Sequence, residues 1–552
     1  MGAPSTILGM RKLATNWVLF SGPVVTLAFS PNLTYEPFDN IKLILLGICA
    51  GFAAGEFINF VKNVGFKSAK IQVYLALFLL IGLLIPLCFS GSPLSQQLYG
   101  AAGRSIGLLH YSFLICLLLG SSVIKSNEIS RSFLKAIVLT GLFEATYGLV
   151  QYLNLDPINW DNEFKWIFGT FGNPNFLSAF LGMSICGSLF LLFANLGLIW
   201  KYLNILNVLL GVICISISTS IQGLVLVALG IFLLILVLAF KKSRLLGLSF
   251  GIFGSVAGVI AGLGLLQIGP LAKYLYQEST TFRGDYWRAG VEMAKDHLFV
   301  GVGLDSYGDY YRQYRDATAV TRRGLENYSD SAHNLFIDLT TNGGLILIVA
   351  YLVLIFAVLA SILRDLKSIK SLEIEYFAIP SIWIAFQIQT LISINVSSVA
   401  IWGWIAGGLL LRNHSFSGEG YVDKNSNRNQ RRGAKSKFGF SVLVIPSVFA
   451  IAAFPILYRD YQVAQAISSP SGPSLQSVTT SWPTSCFFMA KAEEAYTDAG
   501  DHKTSLLISL QSVERNSRCF NSFRHIYENP TSTSMQKNLA LKKMHELDPL
   551  LP

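Results

Sequence analysis

Apolar runs of roughly 20 residues, the length a helix needs to cross the hydrocarbon of a bilayer, recur along the chain between short polar connections. About thirteen such runs can be counted. Each predicts a membrane helix, because a helix satisfies its own backbone groups where water is absent. The first run, Trp17 to Ser30, follows Arg11 and Lys12. It reads as a retained first helix, since no small-x-small cleavage site ends it and further spans follow. The pattern breaks in three places. Residues 270 to 333 form a connection too long to be a plain link. Residues 412 to 437 are polar and basic, as in a cytoplasmic linker that attracts anionic head groups. After a last span at 438 to 458, the apolar runs stop. The chain thus divides into a polytopic domain at 1–411, the linker, the last span, and a helical tail at 459–552.

The tail has its own punctuation. "AKAEEAYTDAGDHKTSLLISLQSVERN" predicts two short helices broken at Gly500, with Asp501 as N-cap. Thr533 and Gln536 have the spacing of a capping box. The small-residue spacing resembles half of a tetratricopeptide unit, which alone establishes no repeat.

Composition sharpens the class. The chain of 552 residues is 52% hydrophobic and 13% charged, with mean hydropathy +0.51, against about a quarter charged in soluble domains. The fold expected is an all-α polytopic membrane protein of about 12–13 spans. A net charge of +10 does not imply nucleic acid, because the basic residues are scattered through short loops. They concentrate on alternate connections: Arg11 and Lys12, Lys62 to Lys70, Lys125 to Arg131, Lys201, residues 241–244, 364–370 and 412–437. That alternation assigns these loops to the cytoplasm, and an odd number of spans sends the tail outside. The 270–333 loop falls outside too, despite its eight Lys/Arg, because long loops translocate largely regardless of charge. Cys49, Cys88, Cys116, Cys186 and Cys214 lie inside spans as small apolar fillers. Cys486 and Cys519 lie in the tail, where an oxidising exterior permits a disulfide without requiring one.

Candidate chemistry gathers on the outward side. Within the long loop, "TFRGDYWRAGVEMAKDHLF" has helical periodicity, with Arg283, Trp287, Gly290, Val291, Ala294 and Leu298 on one stripe. Arg283 stands at the amino end of that stripe and Arg288 on its flank. Each is a phosphate ligand or half of a structural ion pair with Asp285 or Glu292. His333 ends the loop, with Asp330 placed to orient the ring if the turn is helical. A neutral imidazole there can accept a proton at ambient pH. "FGTFGNPNFLSAFL" places Asn173, Pro174 and Asn175 just before a span, as a cap or as a ligand set. Glu56 and Glu144 are intramembrane carboxylates and therefore functional candidates, and Gln151 extends a polar stripe from Glu144. "GVGLDSYG" lacks the strand and helix of a dinucleotide loop. "DNE" at 161–163 offers two carboxylates, too few for a metal.

Taken together, "FRGDYWRAG", "HLFVGVGLDSYGDYY" and "SAHNLFIDLTTNGG", with "EATYGLVQY" and "GTFGNPN" upstream, resemble the O-antigen ligase and polymerase family of bacterial envelope glycosyltransferases. The resemblance covers roughly residues 140 to 345. It implies a GT-C-like helical body in the bacterial cytoplasmic membrane, with an active site on its outer face under the large loop. It further implies transfer of a glycan from an undecaprenyl-type polyprenyl diphosphate to a glycan, lipid or protein acceptor, without cofactor or metal. On this resemblance Arg283 matches the diphosphate-binding arginine and His333 the histidine of the A-H-N motif, with Asn334 beside it. Asn173, Asn175, Glu144 and Arg288 fall in the matching substrate-binding stretches. One position departs: "TSIQGLVL" places Gln222 where the family's serine–arginine–glycine motif has arginine, which leaves Arg288 or another cation to compensate, or a diverged activity. Ligase, polymerase and protein O-oligosaccharyltransferase all remain open. So does a different class, a small-anion transporter using Glu56, Glu144 and the arginines as a relay, and so does a scaffold that binds envelope polymer.

Overall fold

The structure, a computed structural model, describes residues 16–124, 127–160, 162, 167–265, 268–273, 278–411, 438–468 and 474–552. Arg11 and Lys12, Asp161 and Glu163 of the acidic pair, and the basic linker at 412–437 lie outside the described residues. Every regular element among the described residues is helical. The membrane body contains α1 (Trp17–Leu27), α2 (Asp39–Val64), α3 (Lys70–Phe89), α4 (Leu94–Tyr99), α5 (Leu108–Ser122), α6 (Asn127–Tyr152), α7 (Pro174–Leu191), α8 (Leu198–Ile217), α9 (Ile221–Lys242) and α10 (Arg244–Leu265). The long connection supplies α11 (Glu278–Asp296), α12 (Tyr307–Tyr314) and α13 (Ala317–Arg323). Then come α14 (Leu335–Asp365), α15 (Ala378–Thr390), α16 (Ser397–Leu410) and α17 (Phe438–Ser468). The tail holds α18 (Leu475–Thr480), α19 (Cys486–Asp498), α20 (His502–Arg515), α21 (Phe520–Glu528) and α22 (Ser534–Leu547).

Nine of the described helices are long and apolar enough to cross a membrane: α2, α3, α6 to α10, α14 and α17. α1, α5 and α16 are apolar but shorter, and α15 has 13 residues. The runs in the sequence therefore include short helices that end within the protein. The turn between α15 and α16 shows why this is tolerated: Ile394, Asn395, Val396 and Ser397 are all buried, and irregular backbone at depth survives only inside protein.

Without a hydrophobic drive between helices in lipid, small residues decide which ones approach closely. α17 lies along α2, where a side chain at Gly51 would strike the Pro446 backbone. α5 packs on α2 with Gly120 against the Ala53 carbonyl. α9 packs on α7, with Gly223 against the Ser178 carbonyl.

The connections separate to two ends of this bundle. At one end Arg131 pairs with Glu375, and Lys241 Nζ donates to the carbonyls of Ile369 and Leu372. At the other, Glu36 caps α2 by accepting from the backbone N–H of Phe38 and Asp39, and Asp460 of α17 accepts from the Glu36 N–H. There too Gln96 of α4 donates to the Asp305 carbonyl, and Ser95 donates to the Thr484 carbonyl in the tail. We call this second end, with α11 to α13 and the tail, the polar cap.

Two features of the cap differ from the sequence pattern. The buried face of α11 is Asp285, Tyr286, Ala289, Gly290 and Met293, whereas Val291 and Leu298 are exposed. The reason is that small residues and a tyrosine fit closely against Tyr307, Tyr311 and Ile337, and Gly290 leaves no room for a side chain beside Ile337. Second, α14 is broken at Gly344, whose φ of 70° and ψ of −173° are not helical. The helix that follows His333 is thus a short piece of the cap, and the membrane helix proper starts after the break. "GVGLDSYG" supplies the splint: the N–H groups of Val302 and Gly303 donate to the carbonyls of Thr341 and Asn342, and Leu345 N–H donates to Leu298.

The tail is capped as its sequence predicts. Asp501 accepts from Thr504 N–H at the start of α20, and Thr533 with Gln536 forms a capping box on α22. Cys486 and Cys519 form a disulfide.

Candidate functional site

His333 is held in a left-handed backbone conformation, φ 51°, costly for a side chain with a Cβ. Its surroundings enforce it. Ser331 Oγ accepts from the His333 N–H at 2.8 Å. Asp338, one turn into α14, accepts from Ser331 Oγ and from Ala332 N–H, both at 2.8 Å. Asn334 then caps α14, its side chain accepting from the N–H groups of Phe336 and Ile337. Asn334 is thus occupied as a cap. The imidazole lies across the ring of Tyr286, centroids 5.6 Å apart and planes 30° apart.

Tyr286 brings α11, and with it the cations. Arg283 sits one turn before Tyr286 and is half-buried. The alternatives open in the sequence resolve differently for the two arginines. Asp285 is taken by Arg288 and Arg322, and Glu292 by Lys295, so Arg283 has no carboxylate partner among the described residues. Burial pulls its proton affinity down, though a guanidinium stays charged at any ordinary pH. Arg288 is tied to Asp285 at 2.5 Å and to Asp316 at 2.7 Å, a structural bridge between α11 and α13. Arg323 lies over the Phe282 ring at 4.3 Å and donates to the Tyr286 hydroxyl.

Asp330 does not hydrogen-bond the His333 ring. Its carboxylate takes Arg104, through Nε at 2.8 Å and through Nη2, while Arg104 also lies 3.8 Å from Asp305. Arg104 pulls Asp330 below the ordinary carboxylate range against the opposing effect of burial. Burial and the charges of Arg104, Arg283 and Arg323 push the His333 ring down to about 4, with Asp330 pulling the other way. The ring is therefore neutral at pH 7 with a lone pair available, next to a cation that has no carboxylate partner among the described residues. Such a pair can bind a phosphate anion and accept a proton beside it.

The remaining candidates lie deeper and have structural partners. Glu144 accepts from Thr170 N–H at 3.1 Å and from its hydroxyl, and Gln151 Oε1 accepts from the N–H groups of Phe168 and Gly169. The polar stripe read on α6 is thus a clamp on the turn preceding α7. Lys42, fully buried, donates to the Thr170 carbonyl. Asn173 caps α7 by accepting from Asn175 N–H, and Asn175 Oδ1 accepts from Ser220 Oγ. Gln222 donates to the Ile392 carbonyl, and its Oε1 is buried without a hydrogen-bond donor. The structure brings His333, Arg283 and Asn334 into one neighbourhood, with Arg288 at its edge. Among the described residues no group of His, Cys, Asp or Glu could hold a metal.

Arg104 escaped the sequence reading. One signal for it was present: it is a lone arginine in an otherwise uncharged connection on the side that the charge rule leaves poor in Lys/Arg.

Comparison with known proteins gives two matches. Residues 205–352 match a family model, Wzy_C, described as O-antigen ligase. That stretch contains Gln222, Arg283, Arg288, His333 and Asn334. The chain is similar to the exopolysaccharide production protein ExoQ of Rhizobium meliloti (strain 1021), 26% identical over 283 residues, which are 48% of this chain and 62% of the relative. The match thus spans less than two thirds of that relative's length. No solved structure matches the chain.

Proposed function

We propose that this multi-pass membrane protein, whose residues 205–352 match the O-antigen ligase family model, transfers a glycan from a polyprenyl diphosphate to an acceptor hydroxyl in the assembly of a surface polysaccharide. The polar cap then faces outward from the cytoplasmic membrane. The observation that carries this reading is the half-buried Arg283, without a carboxylate partner among the described residues, close enough to His333 for its charge to act on the ring.

In this reaction the acceptor oxygen forms a bond to the anomeric carbon of the donor glycan. The bond from that carbon to the diphosphate oxygen breaks, and polyprenyl diphosphate leaves with the electron pair. Negative charge grows on the leaving oxygen, and Arg283 meets it with fixed, charge-assisted hydrogen bonds. Arg323 adds a second cation on the same aromatic shelf. The acceptor proton passes to a ring nitrogen of His333 as attack proceeds, since an imidazole is too weak a base to form a free alkoxide. Asn334, Asn173, Asn175, Glu144 and Gln222 act in this reading by holding the turns that shape the pocket.

The anion-relay reading gains no comparable support. Glu56 lies 17 residues beyond Asp39 on α2, about 25 Å from the cap end of that helix, and Glu144 is engaged by Thr170.

The test is transfer by the purified full chain from a polyprenyl-diphosphate-linked glycan, with and without a chelator. Arg283→Ala and His333→Ala should each lower kcat by roughly 100-fold or more, and the chelator should change nothing. Wild-type turnover in either variant removes that residue from the mechanism.

A further inference from the structure

Between the long connection and the tail lies a cavity of about 310 Å³, within the range of ordinary ligand pockets, ~300–1,000 Å³. One wall is Asp309, Tyr328 and Asp330, and the other is Phe487, Lys491 and Glu494. Asp330 links the cavity to the site described above. Its carboxylate holds Arg104 on one side, yet 49% of its side-chain surface is open, and its charge acts on the His333 ring.

The two walls are fixed to each other. Asp548 near the chain end is fully buried between Arg312 and Arg315 of the long connection. Arg518 lies over the Tyr310 ring and Asn516 donates to Asp309. The disulfide Cys486–Cys519 joins two of the tail residues that line the cavity. The cavity is thus a built cleft.

Four carboxylates (Asp305, Asp309, Asp330, Glu494) and three cations (Arg312, Lys491, Arg518) line it, so no excess of positive charge selects a strong anion. Two aromatic rings stay partly open, Tyr328 at 51% exposure with Arg312 over one face and Phe487 at 41% packed against Tyr35 and Phe488. Carboxylates that accept from hydroxyls, cations that donate to them and flat apolar faces for C–H surfaces together suit a hydroxyl-rich, uncharged saccharide. We infer that this cleft seats the acceptor, and that the acceptor is the terminal segment of a second glycan, presented to His333 past Asp330. The inference rests on the transfer reading and adds the acceptor's place and class. The donor diphosphate enters on the α11 side, at Arg283, and the acceptor on the opposite side, under the tail.

The experiment uses the full chain in lipid nanodiscs. The probe is the repeat-unit oligosaccharide released from the host's own envelope polysaccharide. Binding is first measured without donor by saturation-transfer NMR, and the same oligosaccharide then serves as acceptor in the transfer assay. The wild type is expected to bind the probe in the absence of donor. Phe487→Ala and Tyr328→Ala should each raise both its Kd and the acceptor KM about 5-fold or more, leaving donor KM and saturated kcat unchanged. A wild type that fails to bind the probe, variants with unaltered acceptor Kd and KM, or equal rises in donor and acceptor KM overturn the assignment. Probe binding that weakens in both variants, in a protein that transfers nothing, supports the saccharide cleft and counts against the transfer reading.

Discussion

A neutral imidazole ringed by guanidinium groups has a pH response of its own. His333 is pushed down to about 4 by burial and by Arg104, Arg283 and Arg323, so the free folded protein gives up this proton more readily than the unfolded chain does. The sign follows: stability tied to this ring is lost as pH falls from the unfolded value, about 6.5, toward the folded one. For catalysis the deprotonated form is required. The acid limb of kcat/KM, which reports the free enzyme, should therefore lie near pH 4, well below an ordinary histidine. A bound diphosphate offsets the arginine charges and raises the ring's affinity in the complex. The acid limb of kcat should then lie at higher pH than that of kcat/KM. Coincident limbs near pH 6.5 would remove His333 as the base. The sequence singled out Arg283 and His333 as candidates, the first on a periodic stripe whose buried face the packing shifts and the second by opening a helix. It did not single out their partners. Asp330 is 226 residues from Arg104, and no local pattern links them.

The element that organises the site is α14, and its behaviour depends on its break. "TTNGG" gives only the hint of paired glycines in what otherwise reads as the entry to a span. At Gly344 the backbone takes a conformation essentially confined to glycine, and a Cβ there would lie 2.4 Å from the Phe299 carbonyl oxygen. Gly344→Ala should therefore straighten α14 or push the 298–303 segment away from it, costing upward of about 2 kcal/mol. The expected signature is faster amide hydrogen exchange across α11 and α12 with α6 to α9 unchanged. Equal protection in both forms would show that the splint tolerates a side chain. The α11 stripe teaches the same lesson. Periodicity found the helix but set its buried face off from the true one, because tyrosines and small residues outpacked Val291 and Leu298 in this setting.

Across the whole molecule, the tail is held to the cap by a buried charge cluster. Asp548 has no exposed side-chain surface and faces Arg312 and Arg315, themselves nearly buried. Removing the carboxylate strands two cations, an error worth roughly 3–5 kcal/mol. Asp548→Ala should undock the tail, making the segment before α19 sensitive to protease while the membrane helices stay protected. Unaltered proteolysis would show that the disulfide and the Arg518 stacking suffice. The sequence by itself determined the class of this protein: its all-helical membrane body, the long connection and the helical tail with its caps. Those features follow from local rules, namely run length, charge bias and capping chemistry, which act over a few residues. Only the tertiary structure decided which arginine has no carboxylate partner among the described residues, which cation Asp330 holds and what the tail covers. The physical reason is that a charge's role is set by the groups that surround it after packing, and here those groups come from connections hundreds of residues apart.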